Sequence, residues 1–372
     1  MTKTTPLHDV HAELGASFTD FAGWTMPVRY TSELAEHRAV REAAGQFDLS
    51  HMGEIEVSGP EAGDALDYAL VGKLSAVKVG RARYTMLCDE HGGVLDDLVV
   101  YRPGEQRYLV VANAGNADVV AAALRERVEG FDARATDIGE RTALIAVQGP
   151  ASAAIVAEAT GADLDGLRYY ASMPAVVSGV PGAEILLART GYTGEDGFEL
   201  FVDADVAVAV WRRLAAVGEA HGLRPAGLAC RDTLRLEAGM PLYGNELGTG
   251  LSPHQAGLGR VVKLDKPGDF VGRAALEKAA LVAQPERVLV GLRGEGRRAP
   301  RHGYRVLDGE REVGEITSGA LSPTLGYPIA MAYVAPDVAE PGTALSVDVR
   351  GRPTPAEVVS PPFYQRPSTT KG

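Results

Sequence analysis

The hydrophobic and polar positions of this 372-residue chain switch repeatedly between a helical and a strand period. The segment TSELAEHRAVREAA (residues 31–44) has the helical period, with Thr31 or Ser32 as its cap and Gly45 after its last turn. Residues 54–57 alternate as a strand, and Gly59-Pro60 opens a second helix because proline suits the first helical position. The pattern predicts a strand followed directly by a helix.

The same pattern, a strand followed by Gly-Pro and a helix, returns near the middle of the chain. A β-rich run at residues 142–147 is ended by Gln148-Gly149-Pro150 and followed by an alanine-rich helix, so the segments VSGP and VQGP echo each other. Two similar βα units explain this echo better than a single parallel sheet does.

Further periodic runs fill the first three quarters of the chain. The expected elements are a hairpin of strands at 95–101 and 107–112, a helix at 117–128, strands at 175–178, 185–189 and 198–202, a helix at 205–217 ended by Gly218, and a helix ending at Gly239. Helices and strands interspersed in this way predict an α+β fold.

After Pro285 the pattern changes to short apolar runs broken by glycine and proline. They include RVLVGL, GYRVL, VGEITSG, IAMAYV and LSVDV. Such runs are typical of a small all-β barrel or sandwich. We therefore predict a body of two interleaved α+β subdomains at residues 1–280 and a C-terminal β-barrel domain at residues 285–372, with the boundary near residues 282–286.

Composition and charge narrow the function. The formal net charge is −12 and the acidic residues are spread along the chain, which disfavours nucleic acid as a partner. Cys88 and Cys230 form no CxxC pair, which predicts buried thiols in a reducing compartment. The first ten residues lack the apolar run of a secretory signal, and no segment is long enough to span a membrane. We expect a cytoplasmic protein without a membrane partner.

The segment HGGVLDDL contains the first candidate for chemistry. Asp96 and Asp97 are neighbours on a strand and face opposite ways. One of them can enter a cavity as a base or cation stabiliser, while the other meets solvent or caps the turn. The pattern by itself also fits two turn-capping aspartates.

The segment RTGYTGEDGFEL is the second candidate. Its three glycines allow a ligand to approach the backbone closely, and Tyr192 offers a flat aromatic wall. Glu199 alternates with Phe198 and Leu200 and would point inward, where a carboxylate can accept paired N–H bonds from a heterocycle. A tight hairpin with Glu199 on a solvated face is the alternative that the pattern leaves open.

The third candidate is the helix within PAGLACRDTLRLEAG, on which Arg231 and Arg235 share one face. Two like charges there require anionic partners, either a substrate carboxylate or structural acids such as Asp232 and Glu237. We expect an internal ion-pair network for at least one of the two arginines.

Other motifs argue against further cofactors. His51 in DLSHMGE has no Ser, Cys or carboxylate pair at a catalytic spacing, which predicts a hydrogen-bonded structural histidine. The sequence has no HExxH or Cys/His cluster and no GxGxxG or Walker-type loop. A metal, a flavin or a nucleotide is therefore not expected.

Six motifs, in order, resemble the glycine cleavage T-protein family over nearly the whole chain: TDFAGWTMPVRY, FDLSHMGE, GGVLDDLVVY, RTGYTGEDGFEL, CRDTLRLEAGMPLYGNEL and ITSGALSPTLG. The resemblance implies three domains arranged like a cloverleaf around a central folate channel, the last being a small β-barrel. It also implies that the methylene carbon of an S-aminomethyl-dihydrolipoyl arm on the H-protein passes to tetrahydrofolate. The products would be 5,10-methylenetetrahydrofolate, ammonia and the reduced arm.

The resemblance further implies which residues form the site. Asp97 matches the essential carboxylate beside the N10 amine of folate, where it can orient that amine, accept its proton and stabilise positive charge on the migrating carbon. Glu199 matches a glutamate that accepts hydrogen bonds from the pterin ring, and Arg231 matches an arginine of the same pocket. The other expected lining residues are Tyr84, Tyr101, Tyr170, Tyr192 and Asn113. The FYQRP ending follows the family only loosely, so Arg366 is left out of the expected contacts.

Two other functions are compatible with parts of this pattern. Another tetrahydrofolate-dependent one-carbon transferase or demethylase on the same scaffold would differ in its donor pocket. A non-catalytic folate-binding protein that assists iron–sulfur assembly or tRNA modification would have a Lys-Gly-Cys-Tyr motif, which this sequence lacks. The flavin-linked dehydrogenases of the family need an additional dinucleotide-binding domain, for which this chain has neither the length nor the glycine motif.

Overall fold

The computed structural model describes residues 2–282 and 285–367. Its N-terminal part consists of α1 (His8–Glu13), a hairpin of β1 (Ser17–Phe21) and β2 (Trp24–Arg29), α2 (Glu33–Glu42) and β3 (Ala44–Asp48). The Ser32 hydroxyl accepts a hydrogen bond from the Ala35 N–H at 3.2 Å, so serine is the cap of α2, one of the two residues that the sequence allowed.

A five-stranded antiparallel sheet follows, in the strand order β5-β6-β7-β4-β8. Its elements are β4 (Gly53–Ser58), α3 (Ala62–Ala69), β5 (Arg81–Cys88), β6 (Val94–Gly104), β7 (Arg107–Ala112), α4 (Ala117–Arg127) and β8 (Arg134–Asp137). Ile55 and Val100 of the strands pack with Leu66 of α3 and Leu124 of α4 in one buried cluster. The two helices therefore cover the outer face of this sheet.

A six-stranded sheet comes next, in the order β10-β11-β12-β9-β3-β13. Its further elements are β9 (Thr142–Gln148), α5 (Ser152–Thr160), β10 (Ser172–Val176), β11 (Glu184–Ala188), β12 (Gly197–Asp203), α6 (Ala207–Gly218) and β13 (Leu223–Pro225), followed by α7 (Leu228–Glu237) and α8 (Arg273–Leu281). On β9, Ile145 packs towards α5 and α6, whereas Leu144 packs towards the other sheet. Burial of both faces explains why residues 143–147 of this strand are all apolar.

The two sheets use their elements in the same order. After β4 come α3, three strands, α4 and β8; after β9 come α5, three strands, α6 and β13. The strand orders differ only by β3, which is inserted between β9 and β13. Gly59 and Gly149 of the VSGP and VQGP segments have φ angles of +134° and +131°, a backbone conformation that glycine adopts readily. The sequence echo therefore corresponds to one repeated arrangement.

The inner faces of the two sheets pack against each other. Tyr101, Leu109 and Val111 of the five-stranded sheet meet Leu144 and Phe201 of the six-stranded sheet. The Tyr101 and Phe201 rings are edge to face, with centroids 5.2 Å apart. The body therefore has four layers: helices, the five-stranded sheet, the six-stranded sheet, and helices again.

The C-terminal part is a closed antiparallel barrel in the order β14-β17-β16-β15-β18-β19, which confirms the prediction of a small all-β barrel. Its strands are β14 (Val288–Gly294), β15 (Arg305–Asp308), β16 (Arg311–Leu321), β17 (Pro328–Val334), β18 (Ala344–Asp348) and β19 (Pro353–Val359). Residues 283 and 284, at the predicted boundary, and residues 368–372 lie outside the described part. The division at 1–280 and 285–372 stays a prediction.

Polar side chains join α7 to the barrel. Arg235 donates to the Ser318 hydroxyl at 2.7 Å, and Glu237 accepts hydrogen bonds from Ser322 and from the backbone and hydroxyl of Thr324. We call these five residues the barrel junction. Arg41 of α2 also donates to Glu237, at 2.9 Å, so the junction ties three parts of the chain together.

Two predicted helix boundaries were wrong. Gly45 lies within β3 and does not occupy the position directly after the last turn of α2. A Cβ atom at Gly45 would be 2.4 Å from Val40 Cγ2. Helix α3 begins after Pro60, at the second residue beyond it. Helix α6 does end at Gly218, as predicted, but that residue has a φ of −71°, and the left-handed conformation occurs at Gly222, whose φ is +76°.

Candidate active site

One cavity of about 340 Å³ lies between the two sheets, near the N-terminal end of α7. All of the predicted site residues line it: Tyr84, Asp97, Tyr101, Asn113, Tyr170, Tyr192, Glu199 and Arg231. We call it the main cavity. A wider hollow of about 690 Å³, between β7 and β10, contains none of them.

Asp97 projects from β6 into the main cavity, and its two carboxylate oxygens have different partners. The Tyr84 hydroxyl donates to Oδ2 at 2.9 Å, and the Asn113 amide donates to Oδ1 at 2.8 Å. Burial raises the pKa of Asp97, while the hydrogen bonds from Tyr84 and Asn113 oppose that shift. The carboxylate is thus held in one orientation from both sides.

Asp96 faces away from the main cavity, as strand alternation predicts, but the expectation that it meets solvent or caps a turn was wrong. It is completely buried. It accepts hydrogen bonds from the Asn113 backbone and amide and from the Asn116 amide. The segment between β7 and α4 supplies those donors, which the sequence pattern did not indicate.

Glu199 points inward from β12. The Tyr101 hydroxyl donates to its Oε2 at 2.9 Å, and the Thr190 hydroxyl donates to the same atom. Burial and the neighbouring charge of Glu199 raise the pKa of Tyr101, which keeps that hydroxyl a donor. Thr190 was not predicted as a site residue, although it lies in the same motif.

The other acids of GYTGEDGFEL have partners within the protein. Arg41 pairs with Glu195 at 2.9 Å, and Arg189 binds both oxygens of Asp196 at 2.9 and 2.6 Å. Glu199 is therefore the carboxylate of this motif that faces the main cavity.

Arg231 and Arg235 lie one helical turn apart and have different surroundings. Arg235 pairs with Asp232 at 2.7 Å and with Glu246 at 3.1 Å. Arg231 forms no ion pair with any carboxylate of residues 2–282 and 285–367, and its guanidinium lies 4.8 Å from the Tyr192 ring centroid. Burial lowers the pKa of Arg231. The expected internal network thus involves Arg235 and leaves Arg231 available in the cavity.

Tyr170 has an unusual backbone for a large residue, with φ at +59°. Its N–H donates to the Arg189 carbonyl at 3.0 Å, and its carbonyl accepts the Ala82 N–H at 2.9 Å. Non-glycine residues seldom adopt this conformation, which is costly and persists where surrounding contacts enforce it. The ring is thereby fixed at the wall of the main cavity.

A side cavity of about 200 Å³ adjoins the main one and shares Met52, Asn113, Tyr192 and Arg231 with it. His51 also lines the side cavity. Its buried Nδ1 has no hydrogen-bond partner in the described structure, so the prediction of a hydrogen-bonded histidine was wrong for that atom. Burial, and to a lesser extent the charge of Arg231, lower its pKa to about 4, which keeps the ring neutral near pH 7.

The structure also bears on the predictions for Arg366, the two cysteines, membrane-spanning helices and metal sites. Arg366 lies outside the main-cavity lining, and its Nη1 atom is 3.6 Å from Asp196 Oδ1. Cys88 and Cys230 are free and buried, as predicted. Among the described residues no helix is long and apolar enough to cross a bilayer, and no group of three or more His, Cys, Asp or Glu side chains could hold a metal ion.

A flat ligand with polar edges suits the main cavity, because tyrosine rings offer stacking surfaces while Asp97 and Glu199 present acceptors at separate positions. Together with the α+β body and the barrel, this cavity defines a candidate binding site for a small planar molecule. The family model of the GCVT N-terminal domain matches residues 7–266, and that of the glycine cleavage T-protein C-terminal barrel domain matches residues 287–365. The chain belongs to the glycine cleavage T-protein family.

Similar proteins cover nearly the whole chain. The aminomethyltransferase of Saccharopolyspora erythraea is 65% identical over 98% of this chain and 98% of its own length. That of Bacillus subtilis is 43% identical over 98% of this chain and 100% of its own length. The crystal structure of the glycine cleavage system aminomethyltransferase T from Bartonella henselae matches with a TM-score of 0.91 at 37% identity, over 98% of this chain and 99% of that one. The predicted family and fold class are therefore confirmed.

Proposed function

We propose that the main cavity binds tetrahydrofolate, with Glu199 at the pterin ring and Asp97 beside the bridging amine. Family membership over nearly the whole chain makes the activity the aminomethyl transfer of the glycine cleavage system, with tetrahydrofolate as a substrate. When bound, tetrahydrofolate supplies the two amines that hold the transferred carbon as a methylene bridge.

The lining of the main cavity supports binding of this ligand. Its volume of about 340 Å³ falls in the usual range of small-molecule sites. Leu49, Val99 and Leu144 provide apolar surface beside the tyrosines. Glu199 receives both of its hydrogen bonds from the described residues at Oε2, which leaves Oε1 to accept N–H groups from a ligand.

Asp97 is the residue to which we assign the proton transfer. Each of its oxygens accepts one hydrogen bond from the protein and keeps a lone pair for a ligand N–H. Burial raises its pKa, which brings the carboxylate closer to the basicity that proton acceptance near neutral pH requires. Its charge also stabilises positive charge that develops on the transferred carbon.

Arg231 is assigned to ligand binding. Its guanidinium is stacked on Tyr192 and has no carboxylate partner in the described residues, so it offers several N–H donors to the electronegative edge of a ligand. Tyr84 and Asn113 orient Asp97, and Tyr101, Tyr170 and Tyr192 form the walls.

The proposed one-carbon donor is the aminomethylated lipoyl arm of the H-protein. Support comes from the similarity to the glycine cleavage system aminomethyltransferase T of Bartonella henselae, and from the side cavity, which gives room for a second reactant next to Asn113 and Arg231. A cytoplasmic location, and a reaction that needs no metal, flavin or nucleotide, stay predictions of the sequence.

The alternative functions are not favoured. A demethylase or a non-catalytic folate-binding protein would share the scaffold, but three relatives that match 97% or 98% of this chain at 62–65% identity are aminomethyltransferases. The convergence of Asp97, Glu199 and Arg231 on one cavity is the observation that supports the assigned chemistry.

The test is the Asp97→Asn variant, which keeps the shape of the side chain and removes its charge. A coupled assay with aminomethylated H-protein follows methylenetetrahydrofolate and ammonia, with and without tetrahydrofolate. We expect kcat to fall by about a hundredfold or more, because a general base is lost, and the Kd of tetrahydrofolate to change by less than about threefold. Asp118→Asn, an exposed carboxylate in the first turn of α4, is the matched control and should be fully active. A fully active Asp97→Asn enzyme would overturn the assignment.

A further inference from the structure

We propose that Asp96 is a positioning residue for the same reaction: its carboxylate orients the side-chain amide of Asn113, and that amide in turn fixes the carboxylate of Asp97. The inference rests on the proposed role of Asp97. Asp96 itself does not line the main cavity and therefore acts only through Asn113.

The contacts of Asp96 are all with hydrogen-bond donors. The Asn113 backbone N–H donates to Oδ2 at 2.9 Å, and the Asn113 and Asn116 amides donate to Oδ1 at 2.9 and 2.7 Å. A protonated carboxyl would need an acceptor for its own hydrogen, and these contacts supply none. The arrangement therefore fits the ionised form of Asp96.

The amide of Asn113 has its orientation determined by these contacts. Its Nδ2 lies 2.9 Å from Asp96 Oδ1, 2.8 Å from Asp97 Oδ1 and 3.2 Å from the Asp97 carbonyl oxygen. A flipped amide would place its own oxygen against these acceptors. One N–H thus points to Asp96 and the other to Asp97, so a single amide links two adjacent carboxylates.

Burial makes Asp96 a costly residue at this position. Burial raises its pKa to about 7, and the charge of Asp97 adds to the increase, while the hydrogen bonds from Asn113 and Asn116 oppose it. A buried carboxylate is seldom the most stabilising choice, because apolar residues of similar volume avoid its desolvation. The cost is explained if Asp96 holds the amide that aims Asp97.

Positioning of this kind has a measurable size. Displacement of a catalytic group by about 1 Å can cost up to about a hundredfold in rate, because the reacting atoms no longer meet in the productive geometry. Without Asp96, the Asn113 amide keeps only its contacts with Asp97 and can rotate away. Loss of Asp96 should therefore lower kcat and leave tetrahydrofolate binding nearly unchanged.

A double-mutant cycle tests this path. We expect Asp96→Ala and Asn113→Ala each to lower kcat by about tenfold to a hundredfold, and the double variant to be no slower than Asn113→Ala alone. The measurements are kcat and KM in the coupled assay, the Kd of tetrahydrofolate by calorimetry, and the midpoint of thermal unfolding. A purely structural role would instead lower the midpoint and make the two kcat losses multiply.

Two further variants allow the role of Asp96 to be tested even if Asp96→Ala does not fold. Asp96→Asn preserves the shape of the side chain but turns one acceptor into a donor, so it serves if Asp96→Ala does not fold; we expect a kcat loss of about threefold to tenfold in the wild-type background and none in the Asn113→Ala background. Asp89→Asn is the matched structural control, since the Asp89 side chain accepts hydrogen bonds, among the described residues, only from the backbone N–H groups of His91 and Gly93 in the turn before β6.

The outcomes separate the two proposals. If Asp97→Asn is fully active, the assigned role of Asp97 fails and the role of Asp96 fails with it. If Asp97→Asn is slow while the Asp96 variants keep the wild-type kcat, or while they lower kcat equally with and without Asn113, only the positioning role of Asp96 is overturned.

Discussion

Two arginines on helix α7 lie in different regions of the protein, and their charges have different partners. At the main cavity, Arg231 has no carboxylate partner in the described structure and meets an aromatic ring. At the barrel junction, one turn later, Arg235 binds Asp232, Glu246 and Ser318. Charge at the junction is therefore neutralised within the protein, whereas Arg231 has no such partner among the described residues, as its proposed role in ligand binding requires.

The largest expected effect comes from breaking the junction with Arg235→Met. Arg235 is 1% exposed and Glu246 is completely buried, so the variant leaves a buried carboxylate without its cation. We expect the free energy of unfolding in urea to fall by about 3–5 kcal/mol. Arg212→Met removes an exposed pair with Glu13 and should cost less than about 1 kcal/mol. Equal losses in the two variants would contradict the comparison.

Lowering the pH should reduce the contribution of Glu237, at the barrel junction, to the free energy of unfolding. Burial acts to raise the pKa of Glu237, but the hydrogen bonds from His37 and Ser322 and the charge of Arg41 outweigh it and lower the pKa from 4.5 to about 2. Ionised Glu237 therefore stabilises the fold above pH 4.5, and that contribution is lost as the pH falls through about 2.

The corresponding variant is Glu237→Gln, which has no charge to lose. Between pH 5 and pH 3, the wild type should lose about 2 kcal/mol of unfolding free energy more than this variant does. Urea unfolding at the two pH values measures the difference. Parallel losses in wild type and variant would show that Glu237 is not held ionised by its partners.

The smallest expected effect concerns the cavity side of the comparison. Arg231→Met keeps much of the side-chain volume and removes no ion pair, so the free energy of unfolding should change by less than about 1 kcal/mol. Tetrahydrofolate should bind about tenfold more weakly, because a charged hydrogen-bond donor is lost. A variant as unstable as Arg235→Met, with unchanged affinity, would remove the distinction between the two arginines.

Local sequence patterns predicted much of this structure. Strand alternation placed Asp97 and Asp96 on opposite faces, and the spacing of Arg231 and Arg235 placed them on one face of a helix that ends near Gly239. These predictions succeeded because they depend on residues close in sequence. The roles assigned to the site residues stay predictions.

Contacts between distant segments were beyond the reach of such patterns. Nothing near Glu195 in the sequence indicates that Arg41, 154 residues away along the chain, is its partner. The burial of Asp96 depends on hydrogen bonds from the segment that precedes α4, and the Nδ1 atom of His51 that lacks a partner in the described structure lies at the side cavity. Gly45 was misjudged because its position is set by contact with the Val40 side chain and not by a helix end.

The repeated order of elements in the two sheets has a consequence for the kind of ligand that the enzyme can recognise. Asp97 belongs to the second of the three hairpin strands in its unit, β6, whereas Glu199 belongs to the third in its unit, β12. The two halves of this near-symmetric framework thus contribute non-equivalent groups, and under the proposed function these groups would contact different ends of one asymmetric molecule.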